Sequence, residues 1–456
     1  MSLVGSLYVG ASGLNAATTE LDVVGDNIAN ASTVGFKSAR TVFADAMAQQ
    51  LVGESGQVGL GVTTMTVQKD FSEGGFTTTG LATDVAIQGN GLFVVKGNHD
   101  GEDGTFYTRN GQFTIDKDGY LTNLDGLRVQ GLQADASGAL TSGLLGDLQV
   151  GNASAPAKAT DSITIRGNLD QTATPMTFDP ANPKTTSNFT TSMTVYDSLG
   201  KPIQLDIYFS KNDPTDPTAT QPGDSGDWTY HVMTDGANLA FDSDGTTAAV
   251  AGTATQVASG TLRFDTAGRL VSNAPDSDPT KTGFYPKDSV GPQSLTFNFG
   301  TGTTPADPTQ PAGSGLDGLT QYAATSAVSF VTQAGSSSGS LSAISVGQDG
   351  TITGSFTNGQ TRTLGQLIIA NFKAPDQLDR VGSTLYSEEP GSGSPTLGTP
   401  ATADRGSVSA GTLEQSNVDI SAQFIQMIAA QRNFEANSKT LTTADQLLAE
   451  LVQLKR

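Results

Sequence analysis

A large apolar residue returns every seventh position at the start of the chain: Leu7, Leu14, Leu21 and Ile28, flanked by Leu3, Val4, Ala11, Ala17 and Val24. That interval lays the side chains along one face of an α-helix and predicts a seam that packs on another helix. The far end repeats the device, with Ile420, Met427, Phe434, Leu441 and Leu448 seven apart beside Phe424, Ile428, Leu451 and Leu454. Ser416 and Asp419 have the spacing of a capping box, so a helix is expected over about 417–454, on the order of 55 Å long. Gln431, Ser438 and Asp445 break its second register with polar groups that fix alignment at a cost in stability.

The N-terminal helix carries Gly5, Gly10, Gly13 and Gly25. At about 1 kcal/mol each relative to alanine, these remove roughly 4 kcal/mol of intrinsic helicity, so the segment is expected to be frayed in isolation. Glycine also lets backbones approach closely, which suits a helix packed among others. Two amphipathic helices packing on the protein's own core would show the same pattern. Their place at the two ends of a long chain instead predicts apolar faces buried by neighbouring subunits.

Between them, from about 71 to 400, short alternating runs broken by Gly, Asn, Asp and Pro predict antiparallel sheet. Phe189, Met193 and Val195 share a face, as do Ile203, Leu205, Ile207 and Phe209, joined through Asp197-Ser198-Leu199-Gly200-Lys201-Pro202. Leu295, Phe297 and Phe299 alternate with Ser294, Thr296 and Asn298. Stretches rich in Pro, Asp and Thr near 212–227 and 301–315, and in Ser and Gly near 335–340, read as loops or joints. The expected class is therefore multidomain and mainly β, with antiparallel β domains nested between N- and C-terminal helices that form a coiled-coil-like unit. The expected division is 1–32 with 412–456 as the helical domain, 33–70 and 400–411 as connections, 71–149 with 339–399 as a first β domain, and 150–338 as an inserted outer β domain.

Composition narrows the chemistry. The 456 residues, 36% hydrophobic with 54 glycines, suit several folded units, but only 15% are charged against about 25% in typical domains, which leaves a polar, weakly ionised surface. Twenty-four Lys and Arg against 45 Asp and Glu give a net charge of −21, which repels phosphate backbones and argues against nucleic acid. The absence of cysteine removes disulfides, thiolate metal sites and cysteine nucleophiles. The two histidines, His99 and His231, are far apart, which excludes a multi-histidine metal site. No Lys or Arg precedes Lys37, so the start lacks the basic region of a cleaved secretory signal, and no run approaches the roughly 20 apolar residues of a spanning helix.

Catalytic-looking strings are weak. Gly335-Ser336-Ser337-Ser338-Gly339 has the spacing of a nucleophile elbow without its strand-to-helix context. Gly313-Ser314-Gly315-Leu316-Asp317-Gly318 has the dinucleotide spacing without a βαβ unit. Asp116 and Asp118 before Gly119, with Asp125 beyond, resemble part of a calcium loop, but Thr114 stands at the first ligand position, and a tight turn is expected. No acidic pair is singled out for glycoside hydrolysis among the 45 acids. Neither an enzyme nor a cofactor is expected.

Longer motifs carry a family resemblance. Ala11-Ser12-Gly13-Leu14-Asn15-Ala16, Asp26-Asn27-Ile28-Ala29-Asn30 and Thr33-Val34-Gly35-Phe36-Lys37 pair with Leu413-Glu414-Gln415-Ser416-Asn417-Val418-Asp419 and Gln431-Arg432-Asn433-Phe434-Glu435-Ala436-Asn437 at the other end. Together they resemble the flagellar rod and hook axial protein family, with Asn27, Asn30, Gly35, Phe36, Asn417, Asp419, Gln431 and Arg432 at its motif positions. The interior strings Asp84-Val85-Ala86-Ile87-Gln88-Gly89-Asn90-Gly91-Leu92-Phe93, Tyr107-Thr108-Arg109-Asn110-Gly111 and Asp118-Gly119-Tyr120-Leu121 are similar to both rod and hook members. Tyr196-Asp197-Ser198-Leu199-Gly200, Thr357-Asn358-Gly359-Gln360 and Ala370-Asn371-Phe372 look like hook proteins in particular.

The resemblance implies a subunit of a short curved tube, a universal joint that passes torque from rod to filament. It implies self-association into a helical homopolymer, with the distal rod protein, the hook cap protein, the hook–filament junction protein and the flagellar type III export apparatus as partners. It places the subunit in the hook, outside the cell, after export through the flagellar channel without a cleaved signal. Neither nucleic acid nor membrane insertion is expected. A distal rod protein is the alternative within the family, although such members generally lack a large inserted β domain; a carbohydrate-binding or adhesive β protein is the alternative outside it.

Overall fold

The structure is a computed structural model. It describes every residue except 1–2, 47–48, 51–56, 213–223, 244, 276–282, 290, 305–311 and 455–456. Much of the Pro/Asp/Thr-rich stretches expected as loops near 212–227 and 301–315 lies outside the described residues.

The helices form at the ends. The first, α1, spans Leu3–Ala29, and the second, α2, spans Ile420–Leu454. The α2 start differs from the sequence expectation: Asp419, not Ser416, is the N-cap. Its Oδ1 accepts from the Ser421 and Ala422 N–H at 2.9 and 3.2 Å, while Ser416 Oγ only closes a short turn with Val418 N–H at 3.3 Å. A carboxylate satisfies the free N–H groups and complements the helix dipole better than a hydroxyl, so the helix begins three residues later.

Between them the chain is mainly β and forms two compact units. One comprises 1–153, 341–355 and 361–456, and the other 154–340 with 356–360. In the first, an antiparallel sheet runs in the order Thr351–Phe356, Thr361–Leu367, Arg128–Ala134, Leu92–His99, Glu102–Thr108, Leu385–Ser387, Asp379–Gly382. Leu92, Val94, Tyr107, Phe372, Leu378 and Tyr386 form a core on it, with Phe71 packed alongside. Two short ladders draw the C-terminal return onto the N-terminal part: Val85–Gln88 with Ser407–Ala410, and Phe76–Thr78 with Thr412–Glu414.

In the second unit the expected alternation holds. Phe189–Tyr196, Pro202–Lys211, Asp224–Asp235, Ala254–Asp265 and Leu270–Pro275 make an antiparallel meander. Met193 stands opposite Leu205 and Val195 opposite Ile203, so both strands turn their apolar face inward onto Trp228, Tyr230, Phe264 and Phe299. Two pairings of one strand depart from the antiparallel expectation. Ser162–Asp170 lies parallel to Thr296–Asn298 and to Leu319–Tyr322, and antiparallel to Ala327–Gln333. Parallel pairing needs long connections that alternation within single strands does not reveal.

Five turns share one design. Asp116, Asn123, Asp135, Asp197 and Asp265 each accept, through Oδ1, the N–H groups two and four residues on, at 2.7–3.1 Å. Three residues after each stands a glycine with φ of 77–88° (Gly119, Gly126, Gly138, Gly200, Gly268), the left-handed region open to glycine. The Asp116 segment is thus the expected tight turn, with Oδ1 engaged by backbone.

Candidate assembly site

The terminal helices pack on each other antiparallel. Gly10 and Gly13 of α1 lie against Leu441 and Asn437 of α2, while Asn27 near the end of α1 donates to Gln423 near the start of α2 at 3.1 Å. The buried positions at this interface repeat every seven residues but are small. Gly10, Ala17 and Val24 serve on α1, and Ala430, Asn437 (partly buried) and Ala444 on α2. A Cβ on Gly13 would stand 2.6 Å from Asn437 Nδ2, so the backbone approach there depends on glycine.

The larger register lies mostly beside this contact, and Leu441, set against Gly10, is the member that enters it. Leu7, Leu14, Leu21 and Ile28 are half-buried along α1, as are Met427, Leu441 and Leu448 on α2, while Ile420 and Phe434 are exposed. Phe424, Ile428 and Leu447 are exposed too, and Ile425 and Tyr8 retain 70% of their surface. Of the motif residues on α2, Gln431 and Arg432 are exposed. Sequence periodicity marked the larger register and gave the smaller one only as the flanking Ala17 and Val24, because glycine and alanine carry almost no hydrophobic signal. The neighbouring ribbon, Ala39–Asp45 paired with Val62–Lys69, adds Met65 at 72% exposure, with Phe43 and Val67 also open.

The remaining motif residues tie this helix pair to the β structure of the same unit. Asn27 is fully buried and clasps Ala39 as a strand would: its Oδ1 accepts from Ala39 N–H at 2.9 Å and its Nδ2 donates to Ala39 O at 2.7 Å. Asn417 holds the adjacent residue, accepting from Ser38 N–H at 2.8 Å and donating to Asp70 O at 2.9 Å. Asn30 closes the end of α1 by donating to Asp26 O at 2.9 Å. Phe36 is buried beneath the guanidinium of Arg380, 4.5 Å from its ring, and Arg380 reaches Asp26 at 2.8 Å.

Gly35 explains why this turn needs glycine. Its φ is 69°, and a Cβ there would meet Asn110 N at 2.6 Å, while its N–H donates to Glu414 O at 2.8 Å. Glu414 is the centre of the junction. Its side chain has no exposed surface; one oxygen takes Lys37 Nζ at 2.7 Å and Gly74 N–H at 3.0 Å, the other Arg109 Nε at 2.6 Å. Arg109 also donates to the carbonyls of Ile87, Gly89 and Gly91. Burial pulls the Lys37 ammonium below the usual lysine value, against the opposing pull of Glu414. Two buried cations share this one buried carboxylate, so removing the carboxylate strands both of them. Lys37, Arg109 and Glu414 all stand within the motifs quoted above, yet nothing local in the sequence joins them.

Among the described residues no helix is long and apolar enough to cross a membrane. The site is a mechanical clasp beside an open apolar helix face.

Comparison with known proteins matches this anatomy. Residues 7–37 match the family described as flagellar basal body rod protein, and 86–171 the flagellar hook protein FlgE/F/G D1 domain. Residues 168–336 match the flagellar basal body protein FlaE D2 domain, and 409–454 the flagellar basal body rod FlgEFG protein C-terminal family. The chain is 34% identical to the flagellar hook protein FlgE of Escherichia coli strain K12, covering 97% of this chain and 98% of that one. It is 34% identical to the FlgE of Borreliella burgdorferi over 99% of both chains, and 33% identical to that of Salmonella typhimurium over 97% and 98%.

Proposed function

Since this chain belongs to the flagellar hook protein family and is a structural subunit of the bacterial flagellar hook, we propose that it polymerises with copies of itself through the outward apolar faces of α1 and α2. The observation that carries this reading is the division of labour between two registers. Mostly small residues close the intrachain helix pair, with Leu441 laid on Gly10, and the larger ones, Leu7, Leu14, Leu21 and Ile28 with Ile420, Met427, Phe434 and Leu448, keep surface for other subunits. Exposed apolar area of this kind mark an interaction site. A head-to-tail contact of one patch on a different patch propagates into a helix rather than closing a dimer.

In this reading the terminal helices form the inner layer of a curved tube that bends while passing torque from rod to filament. The polar, weakly charged β surface suits replaceable, water-mediated contacts between neighbours as the tube bends. The distal rod protein, the hook cap protein, the hook–filament junction protein and the flagellar type III export apparatus are the proposed partners, and the hook outside the cell the proposed location.

Electron microscopy of the full chain induced to polymerise, beside a chain lacking both terminal helices, tests this. Tubes from the full chain alone support the helices as the assembly device. Equal tubes from both would overturn it.

A further inference from the structure

The sequence holds three Asn-Gly pairs, Asn90-Gly91, Asn110-Gly111 and Asn358-Gly359, and the structure treats them differently. Asn-Gly is the pair most prone to spontaneous loss of the side-chain amide, because the glycine nitrogen can reach the asparagine carbonyl carbon unhindered by a Cβ. Asn110 is restrained: its Oδ1 accepts from Gln112 N–H at 3.0 Å, and the following Gly111 is buried against Val85 O. Asn358 is restrained more firmly, donating to Ser337 O at 2.7 Å and accepting from Gln360 N–H at 3.1 Å. Asn90 is exposed, and its side chain makes no hydrogen bond to the described residues. It sits between Gly89 and Gly91, at φ of 104° and 130°, and Gly91 N–H likewise has no partner among the described residues.

We propose that Asn90 is a site of spontaneous deamidation, and that the product bears on the Glu414 junction. The Gly91 nitrogen attacks Asn90 Cγ and forms the N–Cγ bond. The side-chain nitrogen leaves as ammonia, taking the proton that the Gly91 nitrogen gives up, and a five-membered succinimide remains. Water opens that ring at either carbonyl, giving aspartate or isoaspartate, each with one new carboxylate. Arg109 holds the carbonyls on both sides of this residue, those of Gly89 and Gly91, while its Nε pairs with Glu414. Isoaspartate inserts a methylene into the backbone between those two carbonyls, so Arg109 cannot keep both and Glu414 in the same geometry. The new carboxylate also competes with Glu414 for the guanidinium.

Peptide mass mapping of the purified full chain, incubated at mildly alkaline pH and sampled over time, is the test. Conversion of amide to acid at Asn90 is expected to run about fivefold or more faster than at Asn110 or Asn358, each of which must first break a side-chain hydrogen bond. Enzymatic isoaspartate labelling is expected to appear in the same peptide and to vanish from it in Asn90→Gln, whose longer side chain closes a six-membered ring slowly. Equal or faster conversion at Asn110 or Asn358 overturns the assignment of the site. To test the consequence, the aged full chain and Asn90→Asp are compared with fresh protein by hydrogen exchange at Gly35 and Gly74, whose N–H groups Glu414 accepts. Faster exchange supports the link to the junction, and unchanged exchange in the aged chain overturns that link.

Discussion

Glu414 lies 2.7 Å from Lys37 although 377 positions separate them in the chain, and neither side chain reaches solvent. The contact holds the return of the chain against its outgoing strand at the foot of both helices. Its members are unequal. Removing Lys37 leaves Glu414 still neutralised by Arg109, and burial already disfavours the lysine charge. Removing the Glu414 charge leaves two buried cations without their buried anion, with only the half-exposed Glu73, 3.9 Å from Arg109, as a second carboxylate within ion-pair reach among the described residues.

Glu414→Gln is therefore expected to destabilise the helical unit by about 3–5 kcal/mol, and Lys37→Met by clearly less. Denaturant unfolding followed by the helical circular-dichroism signal measures this, because both α-helices belong to the same unit. A larger loss for Lys37→Met would show that the lysine, not the carboxylate, organises the junction.

Three of the α1 glycines differ in what they face. A Cβ on Gly13 collides with Asn437, one on Gly10 rests 3.6 Å from Leu441 in ordinary contact, and one on Gly25 meets nothing within 4 Å. Gly25→Ala is expected to stabilise the unit by up to about 1 kcal/mol through helix propensity alone. Gly10→Ala should be neutral or mildly stabilising, and Gly13→Ala destabilising by about 1–3 kcal/mol through overpacking. Adding Asn437→Ala to Gly13→Ala should recover most of the loss. Thermal melts of the four variants check the order, and a stable Gly13→Ala would show that the helices can separate locally without cost.

Much of the fold was legible in the chain, and the exceptions have physical causes. Helical ends, a β middle and the 189–209 hairpin follow from periodicities of seven and two, because large residues bury a face and repeat it. The register that closes the helix pair, Gly10, Ala17 and Val24 on α1 with Ala430, Asn437 and Ala444 on α2, works mostly through small residues, which a hydrophobic pattern barely weighs. The junction of Lys37, Arg109 and Glu414 is a tertiary meeting of three separate motifs, each looking locally like an ordinary charged position. The parallel partners of Ser162–Asp170 are hidden because register across a long connection leaves no trace within either strand.

The recurring turns give a pH prediction. At Asp135 the Ser137 hydroxyl, then the backbone N–H groups of Ala139 and Ser137, hold the carboxyl below its ordinary value. At Asp265 burial pushes the other way, but the N–H and guanidinium of Arg269 prevail and the value is again lowered. A carboxyl lowered on folding contributes stability that is fully present above its unfolded value, near 3.8, and is lost as the pH falls through the lower folded value. Thermal midpoints are thus expected to be insensitive to these groups at neutral pH and to fall only below that point. Asn123 shows that a neutral amide makes the same turn. Asp135→Asn and Asp265→Asn should fold normally at pH 7 and flatten the acid fall, whereas Asp265→Ala should lose the turn bonds at every pH. A steep loss near pH 6 would point to other groups.

Ile425 and Phe424 decide between a face kept for neighbours and a face merely left uncovered. Both stand open on α2, whereas Ala430, on the inner register of the same helix, is fully buried. Ile425→Asp is expected to change the stability of the monomer by no more than about 0.5 kcal/mol, as for a surface substitution away from special features. If the face is an assembly surface, the same change buries an unpaired carboxylate in every contact of the polymer, which costs far more than the lost apolar area. Polymerisation should then fail while the melting curve of the monomer stays in place. Ala430→Asp provides the opposite case, since it disrupts the intrachain pair itself and should lower monomer stability before any assembly is tested. Sedimentation of polymer beside thermal melts of monomer reads both effects. Tubes from Ile425→Asp at wild-type yield would leave this face without a partner and shift the assembly surface to the ribbon bearing Met65 and Val67.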